Sequence, residues 1–166
     1  MKITNKFSNI LNKIREIELI SITNIINNCI SIEIGRNCEI QTMNGPKIIG
    51  EFSFKIYCPW RLIEKSKIIL SSYDEPEDLD MGLRVMSGKK IYQIKLLKNN
   101  DLLFIFESSF ILEVFCDRKG YNNEDTFPDP NYQFTDLEFL FSIDGNDISV
   151  IDRENHKNLL LNNNMN

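Results

Sequence analysis

The chain has 166 residues and a mass of 19.4 kDa, the size of one ordinary domain and long enough to bury a core without disulfides or metal. Lys and Arg number 19 against 24 Asp and Glu, so the net charge is −5 and the pI near 5.0. That balance argues against a general nucleic-acid binder, whose phosphate affinity rests on clustered cations. A single histidine, His156, removes most His-based catalysis and metal chemistry.

Ile3, Phe7, Ile10, Leu11 and Ile14 form one apolar stripe at helical spacing, which predicts a helix over residues 3–14 capped by Thr4 or Asn5. The period then changes. Ile30, Ile32 and Ile34 alternate with Ser31 and Glu33, and Gly35 is read as the end of that run. Phe52, Phe54, Ile56 and Cys58 alternate with Ser53, Lys55 and Tyr57, the pattern of a half-buried strand. Further strands are predicted at Trp60–Ile63, Lys67–Ser71, Ile91–Leu97, Leu102–Phe106, Phe110–Cys116, Leu137–Ile143 and Ile148–Ile151. Leu102–Phe106 is apolar on both faces and is therefore expected to lie centrally. Asp144-Gly145 between two such runs is a hairpin signal, and connections this short make the neighbouring strands antiparallel.

Three stretches read as loops. Ser72–Gly82 is acidic and holds Pro76; Asp117–Asn131 is polar and holds Gly120, Pro128 and Pro130; the tail 153–166 is polar and expected to fray. The expected architecture is one α+β domain over residues 1–152, an N-terminal helix packed on a mainly antiparallel meander of about eight to ten strands.

No secretory leader is expected, because Lys13, Arg15, Glu16 and Glu18 interrupt any apolar run near the start. The richest apolar window, Leu102–Cys116, is broken by Glu107, Ser108, Ser109 and Glu113, too interrupted for a spanning helix. Cys29, Cys38, Cys58 and Cys116 show no C-x-x-C pair, and Cys58 and Cys116 fall on core faces. A soluble cytoplasmic protein with reduced thiols is the expectation.

Asp74, Glu75, Glu77, Asp78 and Asp80 fall within seven residues. Such a cluster suits a solvated loop, a surface for a basic protein or a hard-cation site, but the calcium-loop template finds no start point in it. Trp60 and Arg61 follow Pro59 at the break between two strands. They read as a core anchor with Arg61 paired to a carboxylate such as Asp74, or alternatively as an anion or small-ligand site. His156 sits in a polar setting and reads as a surface residue. Seven glycines are scattered singly with no phosphate-loop spacing, so no cofactor is expected. Phe104, Phe106, Phe110, Phe139 and Phe141 lie at strand periodicity with little basic company and read as core rather than as a base-stacking platform.

The segments Gly50-Glu51-Phe52-Ser53-Phe54-Lys55-Ile56-Tyr57-Cys58-Pro59-Trp60-Arg61-Leu62, Ile68–Pro76 and Phe110-Ile111-Leu112-Glu113-Val114-Phe115 together resemble a family of small bacterial proteins with a C-P-W-R motif. Many of its members are encoded near toxin genes and are regarded as immunity proteins. The resemblance spans residues 18 to about 116 and transfers no catalytic residue. It departs at Met81–Lys90, which is shorter than the family's helical segment, and at Leu137-Glu138-Phe139, where the family tends to carry W-R-F. What it implies is a non-enzymatic, immunity- or antitoxin-like binding protein that neutralises a toxin by occluding its surface; the acidic balance suits a basic, nuclease-type toxin, while charge and the interrupted apolar runs give the expectation of no nucleic-acid or membrane partner. Asp74–Asp80 is then the expected contact, Asp117–Asn131 the second, and homo-oligomerisation stays undecided.

Overall fold

A computed structural model describes residues 2–116, 130–145 and 147–153. The chain runs α1 (Ile3–Leu11), β1 (Ile17–Asn24), β2 (Ile30–Thr42), β3 (Gly45–Tyr57), β4 (Trp60–Glu64), β5 (Lys67–Ser71), α2 (Pro76–Leu83), β6 (Lys90–Leu96), β7 (Leu102–Phe106), β8 (Phe110–Val114), β9 (Asn131–Thr135), β10 (Phe139–Asp144) and β11 (Asp147–Asp152). The 11 strands form a single sheet in the order β11-β10-β9-β3-β2-β1-β6-β7-β8-β4-β5. Every pairing in it is antiparallel. The α+β class and the antiparallel sheet agree with the sequence. The simple meander is corrected: runs of consecutive strands are joined by the non-consecutive neighbours β9–β3, β1–β6 and β8–β4. A second helix and more strands than expected are also present.

The sheet folds over on itself. β3 and β7 stand four places apart in the order, yet the Phe54 and Phe104 rings meet edge-on at 5.0 Å. The bend falls near β1, which pairs β6 only through Ile17↔Ile91 and Glu18↔Lys90 and carries a bulge between Leu19 and Ser21. Bulges increase local twist and let a strand turn a corner. Inward residues of both halves then make one core, from Ile30, Ile32, Phe54 and Phe134 on one side to Trp60, Leu62, Phe104 and Leu112 on the other.

Two helices pack on the sheet. α1 lies against β6 and β11 and drives Phe7 into an aromatic group, stacked on Phe141 at 5.0 Å and tilted on Phe134 at 5.5 Å. It ends at Leu11 rather than residue 14, although Ile14 is still fully buried, and its N-cap is Lys2 with no side-chain cap. α2 lies against β1 and β5, with Leu79 and Leu83 buried.

Several further elements differ from the sequence reading. Ser72–Gly82 is not a loop, because Pro76 opens α2, a position where its missing N–H costs nothing. Gly35 does not end its strand: at φ +85° it sits in a bulge between Ile34 and Asn37, and β2 continues to Thr42. Gly50 beside that bulge is required by close approach, since a Cβ there would lie 2.6 Å from the Ile34 nitrogen. The sequence pattern marks neither β1 nor β9, and residues 137 and 138, expected at the start of a strand, lie in the turn between β9 and β10. β7 does lie between β6 and β8, and Gly145 turns the β10–β11 hairpin at φ +57°. Most of the predicted 117–131 loop, His156 and the tail beyond Arg153 lie outside the described residues.

Candidate functional site

The acidic segment is held from both ends. Pro76 starts α2, Glu77 and Asp78 occupy its first turn where the helix dipole favours anions, and Leu79 and Leu83 pin it to the sheet. Gly82 lets the helix settle close on Leu70, whose Cδ1 would lie 2.6 Å from a Cβ at that position. Upstream, the Asn28 side-chain amide donates to the carbonyls of Ser72 (3.0 Å) and Asp74 (2.9 Å). Asp74 itself is turned inward, its carboxylate accepting from the Ser71 amide at 2.7 Å. The side chains of Glu75, Glu77, Asp78 and Asp80 are exposed, and none forms an ion pair among the described residues. Tyr73, Met81 and Val85 are exposed beside them.

Trp60 belongs to the same assembly from underneath. It is 1% exposed, its indole Nε1 donates to the Asn28 carbonyl at 2.8 Å, and its backbone exchanges hydrogen bonds with Ser72. The structure therefore brings the two sequence candidates together through Asn28 and Ser72, with Trp60 as the support and the carboxylates as the surface. The expected partner of Arg61 is corrected. It pairs not with Asp74 but with Glu113, its cross-strand neighbour on β8, because the β4–β8 register sets the two opposite each other on the outer face. The guanidinium also lies 5.2 Å from the centre of the Phe115 ring. A pocket of about 370 Å³ opens there, lined by Pro59, Arg61, Ile68, Tyr73 and Phe115 among others. Its one cation is already matched by a carboxylate, which weakens its pull on an anion.

Two groupings escaped the sequence reading. On the outer face of β2 and β3, the Glu33 carboxylate accepts from Ser31 at 3.0 Å, Ser53 at 2.9 Å and the Gly50 amide at 2.8 Å, and pairs with Lys55 at 3.3 Å. Lys55 also donates to Ser31. A Ser–Lys contact has the members of a nucleophile and its base, but this ammonium is engaged by Glu33 and serves as a cross-strand link. Alternation over residues 31–33 and 53–55 was the available signal, and it showed the face without the contacts.

Cys58 and Cys116 are both fully buried and reach each other just beyond the β4–β8 ladder, which the Phe115 amide extends by donating to the Pro59 carbonyl at 2.9 Å. Cys58 also donates to the Asn131 carbonyl at 3.0 Å. Burial holds the Cys58 thiol well above its ordinary range. The hydrogen bond with Cys58 draws Cys116 down, against the opposing push of burial. Both thiols are closed off from solvent, so the arrangement is that of packed core thiols. Among the described residues no group of three or more His, Cys, Asp or Glu is placed to hold a metal ion. No helix among them is long and apolar enough to cross a membrane.

Compared with known proteins, the chain matches no family model, no curated protein and no solved structure.

Proposed function

We propose that the chain is a non-enzymatic binding protein of the immunity or antitoxin type, which docks a basic protein partner on the outward face of α2. The observation that carries this reading is the set of four exposed, unpaired carboxylates, Glu75, Glu77, Asp78 and Asp80, fixed on one short helix beside exposed Tyr73 and Met81. Carboxylates carried on an ordered backbone attract a cationic surface without the segment first having to fold, and an aromatic and a thioether among them supply apolar anchors. The excess negative charge of the whole chain adds long-range steering that salt weakens. The resemblance of Cys58-Pro59-Trp60-Arg61 and Leu112-Glu113-Val114-Phe115 to the immunity-like family points the same way.

The test is capture from the host at low and high salt with the tagged chain and with a variant carrying Glu75→Gln, Glu77→Gln, Asp78→Asn and Asp80→Asn. A basic protein held stoichiometrically at low salt, released at high salt and lost by the variant is expected. A partner held equally by both proteins would place the contact elsewhere. The alternative reading, a small anionic ligand beside Trp60 and Arg61, predicts a saturable change in Trp60 fluorescence on adding small anions, whether or not the α2 carboxylates are neutralised.

A further inference from the structure

β2 and β3 do not stop where the sheet stops. β1 pairs with β2 no further than Ile34, and β9 pairs with β3 only from Ser53. From Asn37↔Gly50 to Thr42↔Gly45 the two strands pair only with each other, a projecting ribbon turned by Met43 and Asn44. Met43 is 90% and Ile48 67% exposed. An isolated two-stranded ribbon is marginal in water, and its unpaired edges are templates for another strand.

The two edges are not alike. In a two-residue hairpin the closing pair, here Thr42↔Gly45, is hydrogen-bonded, and bonded pairs alternate with unbonded ones. Cys38 and Ile40 therefore turn their backbone groups toward β3, whereas Asn37, Glu39 and Gln41 turn theirs outward. Pro46 opposite Gln41 agrees with this phase, since proline is tolerated where its N position faces away from the ladder. On the β3 edge, Pro46 has no donor to offer, Lys47 follows it, and the Gly50 amide already donates to Glu33. The β2 edge carries neither block: Asn37, Glu39 and Gln41 are exposed and have no ladder partner on their outer side.

We propose that this β2 edge pairs antiparallel with the same edge of a second copy of the chain, making a two-fold dimer through a continuous four-stranded ribbon. Charge favours a second copy. Arg36 and Lys47 balance Glu39 and Glu51, so the ribbon is neutral on a chain of net charge −5, and two copies meet there without the repulsion they meet elsewhere. Register follows from the same groups. A two-fold at Glu39 sets two carboxylates directly opposite, which is unfavourable. A two-fold at Cys38 puts Thr42 of the other copy opposite Ile34, where Leu19 of β1 already pairs. A two-fold at Ile40 clears β1 and sets Glu39 against Gln41 of the other copy as a bonded pair, and Ile40 against Ile40 as an unbonded one. The inference is independent of the reading of α2.

Sedimentation equilibrium of the full chain over a range of concentrations is expected to give a reversible dimer. Glu39→Pro, which removes an outward amide, is expected to sediment as a monomer with unchanged near-ultraviolet circular dichroism. Hydrogen exchange on the unmodified chain tests the same point without a variant: the amides of Glu39 and Gln41 slow as the dimer fills, while those of Cys38 and Ile40 are protected at every concentration. A short bis-maleimide is expected to join two copies of the variant Cys38→Ser, Ile40→Cys, in which position 40 meets itself across the two-fold, and not to join copies carrying Cys38→Ser alone. A monomer at every concentration, a dimer that survives Glu39→Pro, or a dimer whose outward β2 amides exchange freely overturns the proposal.

Discussion

Tyr132 carries a phenol into the core, where nothing hydrates it and its hydroxyl donates to the Asn100 carbonyl at 3.0 Å. Burial therefore pushes its pKa well above the ordinary 10.0. Below that ordinary value the phenol is neutral in both folded and unfolded chains, and its contribution to stability is complete. As pH rises past it, the unfolded chain loses the proton while the folded one keeps it, so stability falls by up to about 1.4 kcal/mol per pH unit for this one group. Cys58 acts in the same direction, starting from its ordinary 9.0. Urea unfolding across the alkaline range is expected to show this slope. Tyr132→Phe is expected to lose about 1 kcal/mol at neutral pH, from the missing hydrogen bond, and to fall less steeply above it. An identical slope in both proteins would mean that the phenol is not held neutral.

At the scale of elements, α2 separates what holds the molecule together from what it presents. Leu79 is fully buried against the sheet, while Glu77, Asp78 and Asp80 on the same helix are exposed. Leu79→Ala is expected to cost about 2–5 kcal/mol, the range for deleting a buried leucine side chain, read as a lower urea midpoint. The fourfold carboxylate variant is expected to leave that midpoint within about 0.5 kcal/mol, as exposed substitutions generally do. Comparable losses in both would mean that the carboxylates serve the fold. This helix also shows where the sequence stopped being legible. Leu79 and Leu83 hold a helical spacing, but two apolar positions among five carboxylates are a faint stripe, and Pro76 read as a breaker instead of a start. The β2–β3 ribbon is hard to read for another reason: outside the body it has no fully buried side, so the alternation lasts only from Asn37 to Gln41, and Pro46-Lys47-Ile48-Ile49 on the return strand carries none. In β1, the bulge between Leu19 and Ser21 shifts the period midway. The strands with one buried face and no bulge, such as β7 and β8, were legible. Trp60 as an anchor was legible too, but its link to the acidic segment runs through Asn28, which no local pattern marks.

At the scale of the molecule, the decisive feature is that one sheet supplies both layers of its own core. Strands in a sheet lie about 4.8 Å apart, so β3 and β7 in a flat sheet would be separated by about 19 Å. Phe54 and Phe104 nevertheless meet at 5.0 Å and 76°, an edge-on geometry worth about 0.5–1.5 kcal/mol beyond the area the rings bury. A double-mutant cycle on Phe54→Leu and Phe104→Leu is expected to show a coupling of that size, because each substitution removes the same contact. Additive losses would mean that the two halves do not close on each other. Closure also bears on the outward surfaces. Trp60 points into the shared core, and its indole fixes Asn28, which in turn holds the Ser72 and Asp74 carbonyls at the entrance to α2. Changes that loosen the layers should therefore reach the acidic face through this chain of hydrogen bonds, whereas the β2–β3 ribbon, which contributes no residue to the core, should pair or stay single without regard to them.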